Sequence, residues 1–87
     1  MIAEKLLEEH LVACANVFPP HRAVYRWEGK IESDEETAMI LKTKSEHFKR
    51  IQETVKALHS YETPAIISVP VQDGLPEFLS FIDEETS

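Results

Sequence analysis

The sequence predicts one α+β domain in which helices pack on an antiparallel sheet. Polar and apolar residues alternate over residues 23–31, and residues 36–43 return as a second extended segment, a pattern typical of a long β-hairpin. Apolar residues recur at helical spacing in three other segments. The resulting order, helix-strand-strand-helix-strand-helix, fits a split βαβ sheet that lacks its opening strand.

The N-terminal half begins with a predicted helix and continues into strands. The helix has its apolar positions at Ala3, Leu6, Leu7 and Leu11. Residues 11–18 (LVACANVF) follow as a strand, and Pro19 and Pro20 end it because proline has no amide N–H to pair. Within the hairpin we expect one face to hold Tyr25, Trp27, Gly29 and Ile31. The polar residues 32–36 are expected at its solvated tip.

The C-terminal half is predicted to contain two helices and a short strand. Thr43 and Glu46 have the spacing of a capping box, which predicts a helix over residues 45–58. Its apolar face is Phe48, Ile51, Val55 and Leu58. Residues 65–71 are expected as a buried strand at a sheet edge, since Pro70 cannot donate to a ladder. Pro76 marks the first turn of a last helix, whose apolar stripe is Leu75, Phe78, Leu79 and Ile82.

Composition and charge restrict the partners of the chain. The 87 residues fit one domain, and 16 acidic against 9 basic residues give a net charge of −7. This charge argues against a nucleic-acid backbone or an anionic membrane as partner. The longest apolar run is too short to span a bilayer, no signal peptide is visible, and Cys14 is the single cysteine, so we expect a cytoplasmic protein. A chain this short has a small core, which favours oligomerisation.

Four stretches together resemble the CutA family, the divalent-cation tolerance proteins. They are residues 11–16 (LVACAN), 25–32 (YRWEGKIE), 41–43 (LKT) and 58–64 (LHSYETP). The resemblance covers nearly the whole chain. It implies a ferredoxin-like fold with a long central hairpin, a homotrimer similar in architecture to the PII signalling proteins, and divalent-metal binding, with copper in some members. It implies no established enzymatic activity.

The sequence departs from the family pattern at two places. Family members usually begin with a strand ahead of the first helix, whereas this chain starts at that helix, so we expect residues 1–87 to be one N-terminally truncated domain. Ser60 stands where the family commonly has proline between histidine and tyrosine. That change loosens the loop and weakens any inference that His59 is a ligand.

The candidate metal ligands are one thiol and four imidazoles. They are Cys14, His10, His21, His47 and His59. No two of them have the close spacing of a local chelate, so a site has to be assembled by folding or between subunits. We expect Cys14 to be a buried strand residue and His10 and His47 to be solvated on polar helix faces.

The loop after the second helix is the preferred site. His59 and Glu62 are the candidate metal ligands, with Tyr61 between them as part of a ligand pocket. The alternative role of His59 is to cap the helix C-terminus, and both roles remain open. One loop supplies too few ligands for a closed tetrahedral site, so the remaining positions belong to water or to another subunit.

Two further residues are candidate walls of an intersubunit ligand pocket. Trp27 either joins Tyr25 in an aromatic ladder that packs on a neighbouring element or lines that pocket. Lys42 either pairs with a carboxylate, which we favour, or points into a cleft to meet an anion.

Three functions follow from these observations. The leading hypothesis is a trimeric divalent-metal (copper) binding protein; the alternative is a PII-like sensor or adaptor that binds a small ligand without catalysis. A small hydrolase with His59 or Glu62 as general base is the third. No catalytic residue is predicted, because the chain has no Gly-rich phosphate loop, Gly-x-Ser-x-Gly, CxxC or HExxH motif.

Overall fold

The computed structural model describes residues 1–59 and 64–87 and has the expected α+β architecture. The helices are α1 (Ile2–Glu8), α2 (Phe48–Leu58) and α3 (Pro76–Glu85), and a 3₁₀ turn (Ser45–His47) precedes α2. The strands are β1 (Cys14–Val17), β2 (His21–Trp27), β3 (Lys30–Glu36) and β4 (Met39–Lys42). The principal extents are 45 × 26 × 22 Å, so the molecule is elongated.

The four strands form one long antiparallel hairpin in two parts. β1 pairs with β4, which we call the proximal ladder, and β2 pairs with β3, which together with its turn forms the distal arm (residues 21–36). Three residues on one strand (18–20) face two on the other (37–38), which is the geometry of a bulge. The Phe18 amide still donates to the Ala38 carbonyl at 2.9 Å. Pro19 and Pro20, which have no amide N–H, then separate the two ladders, as the sequence predicts.

The hydrophobic core lies at the proximal end of the hairpin. Its buried members come from α1, the segment that follows it, and α2: Leu6, Leu11, Val12, Ile51 and Val55. Leu41 of β4 packs against this cluster, as do Ile2 and Ile66. No residue of the distal arm is buried. The predicted face of α2 is therefore confirmed at Ile51 and Val55, whereas Phe48 is half-buried and Leu58 is 51% exposed.

The tip of the hairpin is not where the sequence placed it. The turn is formed by Glu28 and Gly29, whose φ angles are +50° and +81°, and residues 32–36 belong to β3. Two consecutive positive φ values are the requirement of a type I′ turn, which suits the twist of the flanking strands. The turn also reverses the predicted facing of one side chain. Ile31 pairs with Arg26, so it lies on the face opposite Trp27.

The predicted capping box at the start of α2 is wrong. Neither the 3₁₀ turn nor α2 has a side-chain cap, and Thr43 Oγ1 donates instead to the Leu11 carbonyl. This bond ties the end of β4 to the segment after α1. The threonine is thus used for a long-range contact, which local spacing cannot reveal.

The predicted buried strand at residues 65–71 is also wrong. The structure describes all of residues 65–71, and none of them belongs to a strand. Ile67, Val69 and Val71 are exposed by 85%, 77% and 72%, and Ile66 alone of its apolar residues packs on the core. A strand needs a paired neighbour, and among the described residues neither ladder pairs with this segment.

The last helix begins at Pro76 as predicted, with Leu75 as its N-cap. Its predicted apolar stripe is not buried: Leu75, Phe78 and Leu79 are exposed by 42% or more. Phe78 and Phe81 stack on each other with ring centroids 6.0 Å apart. Across the described ranges, no helix combines the length and hydropathy needed to cross a bilayer.

Candidate functional site

The distal arm carries opposite charge on its two strands. β2 contains Arg22 and Arg26 and no carboxylate, whereas β3 contains four carboxylates and one lysine. The pairing places Arg22 opposite Glu35 and His21 opposite Glu36. Along this arm runs a shallow groove of about 380 Å³, lined by Pro20, His21, Arg22, Ser33, Asp34 and Glu35. Each strand of the arm pairs only with the other within the described chain, so one free edge is basic and the other is acidic.

Tyr25 occupies the middle of the arm. Its hydroxyl donates a hydrogen bond to the carboxylate of Asp34, across the ladder. This bond, assisted by desolvation and by the charges of Asp34, Glu32 and Glu36, raises the pKa of Tyr25 to about 12. The phenol therefore stays protonated over the physiological range and acts as a donor, not as an anion.

Trp27 lies at the tip of the arm and is 45% exposed. It shares a face with Tyr25 and pairs with Lys30. The alternation that the sequence predicts for these two aromatic residues is confirmed. A tryptophan that remains nearly half exposed leaves apolar area for contact with another molecule.

Lys42 lies at the opposite end of the hairpin. It pairs with Cys14, and its ammonium group donates to Asn16 Oδ1. The prediction that Lys42 pairs with a carboxylate is therefore wrong, because its partner is the neutral side-chain amide of Asn16 on the same ladder. Alternation places Lys42 and Cys14 on the face away from Leu41 and the core. Cys14 is a free, half-buried thiol.

Trp27 and Lys42 of one chain are too far apart to share a site. Thirteen strand positions separate Trp27 from Cys14, the partner of Lys42, which corresponds to roughly 40 Å of extended chain. The longest dimension of the molecule is 45 Å. A pocket that contains both residue types must therefore take them from two copies of the chain.

His59 is the one residue of the predicted metal loop that the structure describes. It is half-buried at the C-cap of α2, and its amide donates to the Val55 carbonyl at 2.8 Å. Tyr61 and Glu62 lie outside the described residues, so the predicted pairing of His59 with Glu62 stays a prediction. Within residues 1–59 and 64–87, no three His, Cys, Asp or Glu side chains converge as a metal site.

Two histidines that we expected to be solvated make long-range contacts. His10 Nδ1 lies 3.3 Å from the Glu85 carbonyl oxygen, and His47 Nε2 lies 2.7 Å from that of Thr86. Helical periodicity gives no signal for such contacts, because they depend on how α3 returns to the first half of the chain.

Comparison with known proteins assigns the chain to a family. A family model described as CutA1 divalent ion tolerance protein matches residues 1–85. The divalent-cation tolerance protein CutA of Archaeoglobus fulgidus is 53% identical over 83 residues, which are 95% of this chain and 80% of that protein. Protein CutA of Mus musculus is 38% identical over 98% of this chain and 48% of its own length.

The solved structures agree in fold. The structure of the periplasmic divalent cation tolerance protein CutA from Archaeoglobus fulgidus superposes with a TM-score of 0.94 at 51% identity, covering 99% of this chain and 83% of that one. The divalent cation tolerance protein from Thermus thermophilus gives a TM-score of 0.95 at 40% identity, with coverages of 99% and 84%. These agreements confirm both the resemblance read from the four sequence stretches and the ferredoxin-like α+β fold. The chain therefore belongs to the CutA1 family of divalent ion tolerance proteins.

Proposed function

We propose that this chain acts as a homotrimeric divalent-metal binding protein, with copper as the first metal to test, and that it is not an enzyme. The observation that carries the proposal is the distal arm, which is fully paired internally but covered by nothing else in the described chain. A two-stranded hairpin with no packing partner is marginally stable in water. A neighbouring copy of the chain supplies the missing cover.

Charge on the arm supports a head-to-tail arrangement. The basic edge of β2 in one copy complements the acidic edge of β3 in the next. Such a contact uses two different surfaces, and a heterologous contact of this kind closes into a ring when the rotation permits. The resemblance to the family favours three subunits over other ring sizes. Pairing of free edges also removes the aggregation hazard of a long exposed hairpin.

Sedimentation equilibrium at micromolar protein tests the assembly. We expect a trimer mass for the wild type and a smaller mass for Arg22→Glu/Arg26→Glu, which puts like charges on both edges. The matched control is Lys49→Glu/Lys56→Glu, which makes the same change in net charge on exposed positions of α2. A monomer mass for the wild type, or equal dissociation of the two variants, contradicts the arrangement.

The proposed metal site lies at a subunit boundary on the loop that begins at His59, with Glu62 as second ligand. Trp27, Lys42 and Tyr61 are proposed to line a neighbouring ligand pocket. The roughly 40 Å between Trp27 and Lys42 within one chain supports a shared site built from two copies. Because one loop offers two ligands, water or a second subunit completes the coordination and affinity is expected to be modest.

Copper titration of the wild type and of His59→Ala, at pH 7.5 and at pH 5.5, tests this site. We expect weaker binding in the variant and at the lower pH, because imidazole binds metal only when deprotonated. His21→Ala, on the exposed first position of β2, is the matched control. Equal affinity of His59→Ala and wild type removes His59 from the site. Copper release by an added nucleotide instead favours the PII-like ligand sensor.

Two further proposals rest on the sequence. We propose no catalytic activity, and turnover of an acyl-phosphate or ester that disappears in His59→Ala would contradict it. We also propose a cytoplasmic location, supported by the single free thiol of Cys14. Cell fractionation decides this point, and recovery with the periplasmic fraction would match the name of the Archaeoglobus fulgidus relative instead.

A further inference from the structure

The C-terminal end of α3 makes polar contacts with the first half of the chain. No residue of the helix itself is buried, whereas Thr86, which follows it, is 1% exposed. Thr86 Oγ1 donates to the Ile82 carbonyl at 2.6 Å, which closes the last turn. This bond lies within the end of the helix and does not itself attach α3 to the rest of the chain.

Three basic side chains converge on the last carbonyls of α3. His47 Nε2 contacts the Thr86 carbonyl at 2.7 Å and His10 Nδ1 contacts the Glu85 carbonyl at 3.3 Å. Lys44 Nζ lies 3.4 Å from the Asp83 carbonyl and 3.2 Å from its carboxylate. These carbonyls form the negative end of the helix dipole, where a cation is stabilising.

The backbone holds His10 in place for this contact. His10 and Leu11 amides donate to the Leu7 and Leu6 carbonyls at 3.1 and 3.0 Å, the paired bonds of a Schellman motif. His10 consequently has a φ of +58°, in the left-handed region that usually favours glycine. The chain thus places a histidine where its backbone conformation is unfavourable for a residue with a Cβ, and the His10 side chain contacts α3.

We propose that His10 and His47 form a pH-responsive clamp on the C-terminal end of α3, which tightens on protonation. An imidazolium adds a positive charge at the dipole and makes both ring nitrogens donors. A neutral imidazole loses the charge and also populates the tautomer whose lone pair faces the carbonyl oxygen. Histidine is the side-chain type whose charge ordinarily changes in the neutral pH range, so pH 6.0 and pH 8.0 are the conditions to compare.

The surrounding charges keep the same sign over this range. The carboxylates on the last turn are Asp83, Glu84 and Glu85, and Glu46 precedes His47 in the chain. Glu9 precedes His10 and is engaged by Lys5 at 2.9 Å and by Arg50 at 3.7 Å. Carboxylates and lysines both remain ionised between pH 6 and 8 as residue types. These neighbouring side chains therefore contribute no change of charge between the two pH values compared.

Amide hydrogen exchange, expressed as protection factors at pH 6.0 and 8.0, tests the clamp. For the wild type we expect α3 to be about tenfold more protected at pH 6.0, the combined effect of two charges of usual strength at a helix terminus. Amides of α2, packed through Ile51 and Val55, serve as the internal reference. His10→Asn/His47→Gln should lose this pH dependence, and the matched control His21→Gln should keep it.

A permanent charge provides a second, independent readout. His47→Lys makes one of the two charges permanent, so the difference in α3 protection between pH 6.0 and pH 8.0 should fall from about tenfold to about threefold. Loss of the α3 pH dependence in His10→Asn/His47→Gln together with its retention in His21→Gln supports the clamp. A wild-type α3 whose protection relative to α2 is the same at both pH values overturns it, as does equal pH dependence in the wild type and the double variant.

Discussion

The two ends of the hairpin share a strand pattern but differ in what surrounds them. At the proximal ladder, Leu41 packs on a core built from α1 and α2. Ala13, the residue that precedes β1, is also buried. In the distal arm Val24 and Ile31 are exposed by 58% and 73%. Period-two alternation thus identifies a strand without telling whether its apolar face is covered within the same chain. Leu41 of the proximal ladder is covered within the chain, whereas Val24 and Ile31 of the arm are not.

The largest expected effect distinguishes the two ends by stability. Leu6→Ala should lower the free energy of unfolding by about 3 kcal/mol, since Leu6 is fully buried in the core. Ile31→Ala, in the arm, should change it by less than about 0.5 kcal/mol when the chain is monomeric. Urea unfolding at low protein concentration measures both. Equal losses of unfolding free energy in the two variants would show that Ile31 contributes as much packing as Leu6.

Phe48 sharpens the boundary of the core. The sequence alone predicts a loss of roughly 3 kcal/mol for Phe48→Ala, the usual value for a buried phenylalanine. Because the side chain is half-buried, we expect about 1–2 kcal/mol. A thermal midpoint unchanged by the substitution would show that Phe48 contributes no packing.

The turn of the arm offers a pair of opposite substitutions. Gly29→Ala places a Cβ at φ +81° and should destabilise the arm by about 1 kcal/mol, although no atom lies within 4 Å of the new carbon. Glu28→Asn creates an Asn-Gly type I′ turn and should stabilise the arm by a similar amount. Hydrogen exchange of the β2 and β3 amides measures each change. Equal protection in both variants would mean that the turn does not limit arm stability.

Tyr25 gives a pH signature of the arm. Ultraviolet titration should show one of the two tyrosines ionising at about pH 12, because the Asp34 carboxylate holds the phenolic proton. The folded pKa is raised, so the stabilisation is fully present below pH 10 and is lost as pH rises through 12. Asp34→Ala should return this ionisation toward pH 10. A titration curve that Asp34→Ala does not change would exclude the hydrogen bond in solution.

The smallest expected effect concerns the helix pair above the proximal ladder. The half-buried Glu9 at the α1 C-cap joins the exposed cations of Lys5 at 2.9 Å and of Arg50 of α2 at 3.7 Å. The bond to Lys5 lowers the pKa of Glu9, so this contribution exists above the ordinary carboxylate range and disappears as pH falls through it. Glu9→Gln should destabilise slightly in low salt and not in 1 M salt, where exposed pairs are screened. Lys49→Gln, an exposed lysine of α2, is the control.

Local signals predicted most elements of this fold. Helical spacing located α1, α2 and α3, alternation located β2, and Pro19 with Pro20 marked the break between the ladders. The local signals failed at the polar residues 32–36, which were predicted to be the hairpin tip. These residues belong to β3, and the turn is formed by Glu28 and Gly29. Strand pairing stabilises such a run once β2 lies beside it, and its composition cannot show that neighbour.

The candidate site was predictable only in part. Composition and motif identified Trp27, Lys42 and His59 as residues to examine, yet local spacing could not place the first two at opposite ends of a hairpin. The partner of Lys42 is Asn16, 26 positions away in the chain. The contacts of His10 and His47 with α3 were missed for the same reason, since sequence separation hides them.

By itself the sequence determined the family, the α+β class and the periodic faces of the helices, because these depend on residue identity and local spacing. The tertiary structure alone decided which faces are buried. Ile51 and Val55 meet a core, while the equally periodic Phe78 and Leu79 remain exposed, because burial requires an apolar partner from elsewhere in the chain. It likewise decided which side chains meet the C-terminal carbonyls of α3, since only the folded chain brings His10, Lys44 and His47 to one helix end.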